Sequence, residues 1–165
     1  MVDAIKAKSP SLKRPYNDSV GVYPCRSFNL GKQTASYPHV DLANLAQSWC
    51  TVTPIGSFDP KMGGHLVLKD LGLVVEFPPG TTILIPSALI THSNTPIRSH
   101  ETRYSIVQYA AGGLFRWVEN GFMTDAKWEE TASKEQMDSR EDDKKQRWKR
   151  ALAAFTKLDE LLAMG

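Results

Sequence analysis

His39 and Asp41 stand one residue apart, His92 follows 51 positions after Asp41, and Arg103 and Ser105 begin eleven positions after His92. That order is the order of a mononuclear iron oxygenase. Two imidazoles and one carboxylate can occupy one face of a ferrous ion and leave the opposite positions open for a co-substrate and O2. Residues at i and i+2 point to the same face of a pleated strand, so a strand end lets His39 and Asp41 reach one metal. The third ligand must then come from a distant strand folded alongside. An HxD pair alone is common and reads equally well as a surface hydrogen-bonded pair; the ordered set is more specific. A dicarboxylate on such a metal needs a cation at its far end. Arg103 can grip it through two parallel hydrogen bonds, and Ser105, on the same strand face, can add a hydroxyl. Arg98 is a rival, but only Arg103 opens a β-branched strand with a serine two residues on.

The surrounding pattern is one of short apolar runs broken by Gly and Pro, the rhythm of an antiparallel sandwich. It predicts strands near 28–30, 34–38, 49–55, 65–68, 73–77, 81–85, 89–94 and 103–109. About eight such strands are what a double-stranded β-helix requires. Leu42 to Gln47 is too short for a stable helix and reads as a loop or single turn. Pro78, Pro79 and Gly80 form the clearest turn signal. The segment 1–24 reads as an irregular lead-in with a short strand at Val20 to Tyr23. Beyond Phe122 the period changes to 3.6: Trp148, Leu152, Phe155, Asp159 and Leu162, widened by Leu158 and Leu161, form a helical stripe. Residues 126–145 are more polar and fit an exposed helix or a linker. The expected fold is therefore mainly β with a helical C-terminus, on a double-stranded β-helix (jelly roll, cupin-like) core. Its parts are a lead-in over 1–24, a core over 25–122 and a charged linker with an amphipathic helix over 123–165.

A chain of 165 residues, 41% hydrophobic, fits one domain with an ordinary core. The formal charge of +2 and isoelectric point near 8.5 neither demand nor exclude a nucleic-acid partner. Lys144, Lys145, Arg147, Lys149 and Arg150 read first as a solvated helix face, with phosphate contact as the alternative. Cys25 and Cys50, without paired spacing, argue against a disulfide scaffold or a thiolate zinc site and for a reducing, intracellular setting. No apolar run is long enough to span a membrane, and no secretory signal opens the chain.

The run YPHVDLANLAQSWCTVTPIGSFDPKMGGHLVLKDLGLVVEFPPGTTILIPSALITHSNTPIRSHETRYSIVQYAAGGLFRW, from Tyr37 to Trp117, resembles the fungal branch of the TET/JBP family. These are Fe(II)- and 2-oxoglutarate-dependent dioxygenases that oxidise methylated bases in nucleic acid. The resemblance extends over roughly residues 25 to 122. It implies that His39, Asp41 and His92 hold Fe(II), and that Arg103 and Ser105 hold the distal carboxylate of 2-oxoglutarate. His65, in GGHLVL, would face the co-substrate from the side. Asn44 matches a position that contacts the target base, and Tyr109 matches the aromatic on which a flipped base stacks. The implied partner is DNA bearing a methylated base such as 5-methylcytosine, with 2-oxoglutarate and O2, and the implied compartment is the nucleus.

Two departures bear on substrate and activity. Animal members place a histidine where Ala111 stands, so one polar contact to a base edge is lost. The chain also begins close to the core, where relatives carry a longer N-terminal region. A second enzymatic reading keeps the cofactors and changes the target to another methylated base, RNA or a protein side chain. A reading of another class is a shortened, non-catalytic cupin-like relic or binding module of a mobile-element-associated gene. Residue types alone leave His65 open to a core role, Tyr109 to core packing and Asn44 to bonding its own turn.

Overall fold

The computed structural model describes residues 1–11 and 22–164, in two compact units, Met1–Phe115 and Arg116–Gly165. The first unit begins with α1 (Val2–Lys8), where an irregular lead-in was expected. Ala4, Lys6, Ala7 and Lys8 are good helix formers. The helix stops at Ser9, which precedes Pro10 and has left the helical region at φ −135°. The strand expected at Val20 to Tyr23 begins outside the described residues.

Among the described residues seven strands follow: β1 (Cys25–Asn29), β2 (Cys50–Ser57), β3 (Leu66–Leu68), β4 (Leu73–Val75), β5 (Ile83–Ile85), β6 (His92–Asn94) and β7 (Thr102–Tyr109). They form two antiparallel sheets, one of order β1-β7-β2-β5 and one of order β4-β3-β6. Leu66 and Leu68 of β3 and Ile85 of β5, buried with Phe77, share one apolar cluster against which Val52, Val75, Ile83 and Ile90 pack. The cluster draws on both sheets, so they face each other across it, and alternation assigns one side of each strand to the core. Fully burying a side chain of this size contributes about 1.5 to 3 kcal/mol.

Pro54 sits in the middle of β2, a place that normally excludes proline. Here β5 pairs only with Cys50 to Val52, and beyond its end the Pro54 carbonyl accepts from the Gly80 N–H at 2.8 Å. The missing N–H therefore costs no ladder bond. Gly80, at φ 84°, supplies the turn that brings its N–H there.

The strand expected over 34–38 is not a regular strand. Gln33 bridges Arg103 in parallel, the Thr34 N–H donates to the Arg103 carbonyl at 3.0 Å, and the Asn94 N–H donates to the Ser36 carbonyl at 3.2 Å. His39 and His92 then exchange both backbone bonds, at 3.1 and 2.9 Å. This run is stitched first to one sheet and then to the other, and Pro38, which has no N–H, cannot extend a ladder. Crossing between sheets is what delivers His39 to the edge of β6.

In the second unit the polar stretch is helical, as α3 (Asp125–Thr131) and α4 (Lys134–Ala153); α2 (Gly112–Glu119) runs across the division between units. Thr124 caps α3, and Ser133 with Gln136 forms a reciprocal capping box on α4. Asp125 accepts from Arg116, Asn120 and Arg140 at 3.1, 2.9 and 2.7 Å, and the Arg140 guanidinium lies 4.3 Å over the Trp128 ring. The single helix expected over 148–162 is broken: α5 (Leu158–Ala163) restarts after four residues. The Lys157 N–H, which an unbroken helix would direct at the Ala153 carbonyl, is taken by the Glu160 carboxylate at 3.0 Å. Trp148, Leu152, Leu158, Leu161 and Leu162 stay exposed. Among the described residues no helix is long and apolar enough to cross a membrane.

Candidate metal centre

His39, Asp41 and His92 each offer one ligand atom, and the three atoms lie within 4.8 Å of one another; no other His, Cys, Asp or Glu group of this kind occurs among the described residues. The same device aims both rings. His39 Nδ1 lies 2.7 Å from the Tyr37 carbonyl and His92 Nδ1 lies 2.9 Å from the Ile90 carbonyl, each two residues back. A carbonyl oxygen only accepts, so Nδ1 carries the proton and Nε2 keeps its lone pair. Such an outer hydrogen bond orients a metal-binding imidazole. His39 Nε2 stands 3.5 Å from Asp41 Oδ1, too far for a strong hydrogen bond and suited to two donors sharing an ion. The ring centroids are 4.4 Å apart at 46°.

Asp41 is held from two sides. Its N–H donates to the Ser87 carbonyl at 2.9 Å, and its Oδ2 accepts from Asn44 Nδ2 at 3.1 Å. The same Asn44 nitrogen donates to Ser87 Oγ at 3.2 Å. Asn44 also bridges Ala111, with the Leu45 N–H on the Ala110 carbonyl and the Gly112 N–H on the Ala43 carbonyl. The turn after Asp41 is thus fastened to the end of β7, beside Tyr109.

His39, Asp41 and His92 line a pocket of about 540 Å³, a volume typical of small-molecule sites. Ser105, Val107 and Tyr109, on one face of β7, line it too. Tyr109 is half-buried, its hydroxyl 3.4 Å from Ser27 Oγ. Cys50 is also in the wall, and burial, reinforced by Asp41 and opposed by a hydrogen bond with Ser87, pushes its thiol up to about 11. It stays a neutral thiol at physiological pH.

Arg103 continues the same face of β7 and is only 1% exposed. Its Nη1 donates to the Thr34 carbonyl at 2.7 Å, but Nε and Nη2 are buried with no partner. Burial draws its pKa down from the ordinary arginine value. A buried cation without an anion is costly, and a buried guanidinium edge with two free donors is the shape that a carboxylate satisfies. Ser105 Oγ accepts from Asn29 Nδ2 at 2.9 Å, which leaves the serine proton free to donate. Arg98 is committed elsewhere, to Glu101 at 2.8 Å and Asp59 at 3.3 Å.

His65 is not brought to this pocket. It precedes β3, whose Leu66 and Leu68 face the core, so its side chain falls on the other side, where Nδ1 lies 3.1 Å from Thr95 Oγ1. His100 is exposed in its loop. Asn29 and Ser87 carry no local signal in the sequence: each bonds a partner distant along the chain, Ser105 and Asn44. Asn94, also in the lining, stands two residues after His92 and could have been found by the reasoning that pairs His39 with Asp41.

No family profile matches the chain, and no curated protein matches it. Twelve chains of solved structures do. One is NgTET1 in complex with 5mC DNA, 22% identical over 58% of this chain, with a TM-score of 0.48. The match covers 39% of that chain, so the protein spans about two-fifths of its length.

Proposed function

We propose that the protein is an Fe(II)- and 2-oxoglutarate-dependent dioxygenase with a double-stranded β-helix core, acting on a methylated nucleic-acid base such as 5-methylcytosine. The observation that carries this reading is the convergence of His39, Asp41 and His92, with both Nε2 lone pairs freed by carbonyls behind the rings. Two neutral imidazoles and a carboxylate suit ferrous iron. The orphaned Arg103 donors fit the distal carboxylate of 2-oxoglutarate, and Ser105 has a proton to add. A bound ferrous ion and 2-oxoglutarate together supply the O2-dependent oxidising chemistry that hydroxylates a methyl group. The chain's own part is ligation by His39, Asp41 and His92, anchoring by Arg103 and Ser105, and water exclusion by Val107 and its neighbours. Tyr109 offers a ring for the base, and Asn44 borders the same opening. Base identity rests on the resemblance in sequence, and Ala111 brings no side-chain hydrogen bond to it.

The deciding experiment measures succinate released from 2-oxoglutarate with Fe(II), with and without methylated oligonucleotides, followed by mass spectrometry of the nucleosides. Succinate stimulated by methylated DNA, with an oxidised nucleoside, supports the proposal. Binding of metal and 2-oxoglutarate without turnover on any substrate would assign the chain to the non-catalytic binding class. Absence of metal binding would overturn the reading altogether.

A further inference from the structure

Asp41 has two carboxylate oxygens in unlike surroundings. Oδ1 faces His39 Nε2 at 3.5 Å, and Oδ2 is occupied by the Asn44 amide at 3.1 Å. The Asn44 amide is itself tied to the Ser87 hydroxyl at 3.2 Å, and Ser87 takes the Asp41 N–H on its carbonyl. Ser87 is 1% exposed and follows β5 through Pro86, its N–H on the Ile85 carbonyl at 2.9 Å. It is a rigid post, and Asn44 is the strut between that post and the carboxylate.

We propose that Asn44 and Ser87 form a clamp that keeps Asp41 a one-oxygen ligand and thereby keeps a position at the metal open for the co-substrate. This rests on the metal reading above. A carboxylate free to turn can present both oxygens to a cation, and a second oxygen would occupy one of the positions that 2-oxoglutarate needs. With the strut in place Oδ2 is turned to the Asn44 amide, and Oδ1 is the oxygen that faces His39 Nε2. The clamp also gives Ser87, which no motif marks, a positioning role through Asn44 rather than contact with any ligand.

The test separates metal affinity from co-substrate affinity. Asn44→Ala and Ser87→Ala are compared with the parent by anaerobic calorimetry, first for Mn²⁺ alone and then for 2-oxoglutarate added to the Mn²⁺-loaded protein, beside a thermal melt of each. Both variants are expected to weaken 2-oxoglutarate roughly tenfold or more while holding Mn²⁺ within a few-fold of the parent, because the released second oxygen of Asp41 can join the first on the ion. Ser87→Thr, which restores the hydroxyl, is expected to recover most of the loss. Parent-like 2-oxoglutarate affinity in both alanine variants overturns the clamp, as does a parallel fall of both affinities with the melting temperature, which marks mere loosening of the fold. Asp41→Ala distinguishes the two ideas. If it keeps parent Mn²⁺ affinity, Asp41 is no ligand and the clamp falls with that part of the metal reading; if it loses Mn²⁺ while the clamp variants behave as the parent, only the clamp falls.

Discussion

Each histidine of the candidate centre is aimed by a carbonyl two residues behind it, and Asp41 by Asn44 and Ser87, so the three donors converge. Removing one leaves an incomplete face. His39→Ala, Asp41→Ala and His92→Ala should each abolish tight binding of Mn²⁺ or Fe²⁺ in anaerobic calorimetry, and unchanged affinity in all three would sink the assignment. Arg103→Ala should keep the metal and lose 2-oxoglutarate, since stripping one partner from a buried charge pair costs on the order of 2 to 5 kcal/mol. Arg98→Ala should leave both affinities intact, because its partners are Glu101 and Asp59. The opposite pattern would mean that the co-substrate uses Arg98. For Tyr109, stacking of a flipped base is worth about 1 to 3 kcal/mol. Tyr109→Ala should cut oxidation of methylated DNA while sparing uncoupled 2-oxoglutarate turnover, and Tyr109→Phe should be mild. A collapsed circular dichroism melt for Tyr109→Ala would instead mark the ring as packing.

At the level of elements, the register of β2 on β7 sets Gly56 opposite Arg103. Gly56 has φ 125°, and a Cβ there would run into the Thr102 carbonyl. An L side chain is strained in that conformation and would also push on the strand that carries the buried guanidinium. Gly56→Ala should therefore lower the urea midpoint, with a loss above about 1 kcal/mol. A melt equal to the parent would mean the bend at this point yields easily. Element boundaries also show where local patterns stop deciding. Thr34 to Pro38 has the composition of a strand but becomes a connector, and the stripe over 148–162 is interrupted by a local cap at Lys157.

At the scale of the whole molecule, two carboxylates among the described residues stand well below their ordinary values, one in each unit. Hydrogen bonds from Arg98, with backbone N–H groups of Asp59 and Arg98, hold Glu101 at about 2 rather than 4.5. Asn120, Arg140 and Arg116 hold Asp125 at about 2 rather than 3.8. A group whose folded pKa is depressed stabilises the fold above its unfolded pKa, and the contribution disappears as pH falls through the folded value. Thermal melts should thus change little in response to these two groups between pH 7 and about 5, then fall steeply toward pH 2. In Glu101→Gln and Asp125→Asn the parent's advantage should shrink over that acid window. A constant difference between parent and variants from pH 7 to pH 2 would show that these ionisations do not govern acid stability.

Local chemistry by itself marks several features of this chain. Short apolar, β-branched runs located β2, β5 and β7, the Pro-Pro-Gly turn was explicit, and the spacing of His39, Asp41 and His92 pointed to three residues that the fold brings together. These depend on a residue's nearest neighbours in the chain, where side-chain direction follows the backbone period. Only tertiary structure decided that the run from Gln33 to His39 crosses from one sheet to the other, that His65 turns to Thr95, and that Asn29 and Ser87 hold Ser105, Asn44 and Asp41. Those outcomes depend on which distant backbone groups and hydroxyls end up within hydrogen-bond reach, and the three-ångström length of such a bond has no counterpart in spacing along the chain.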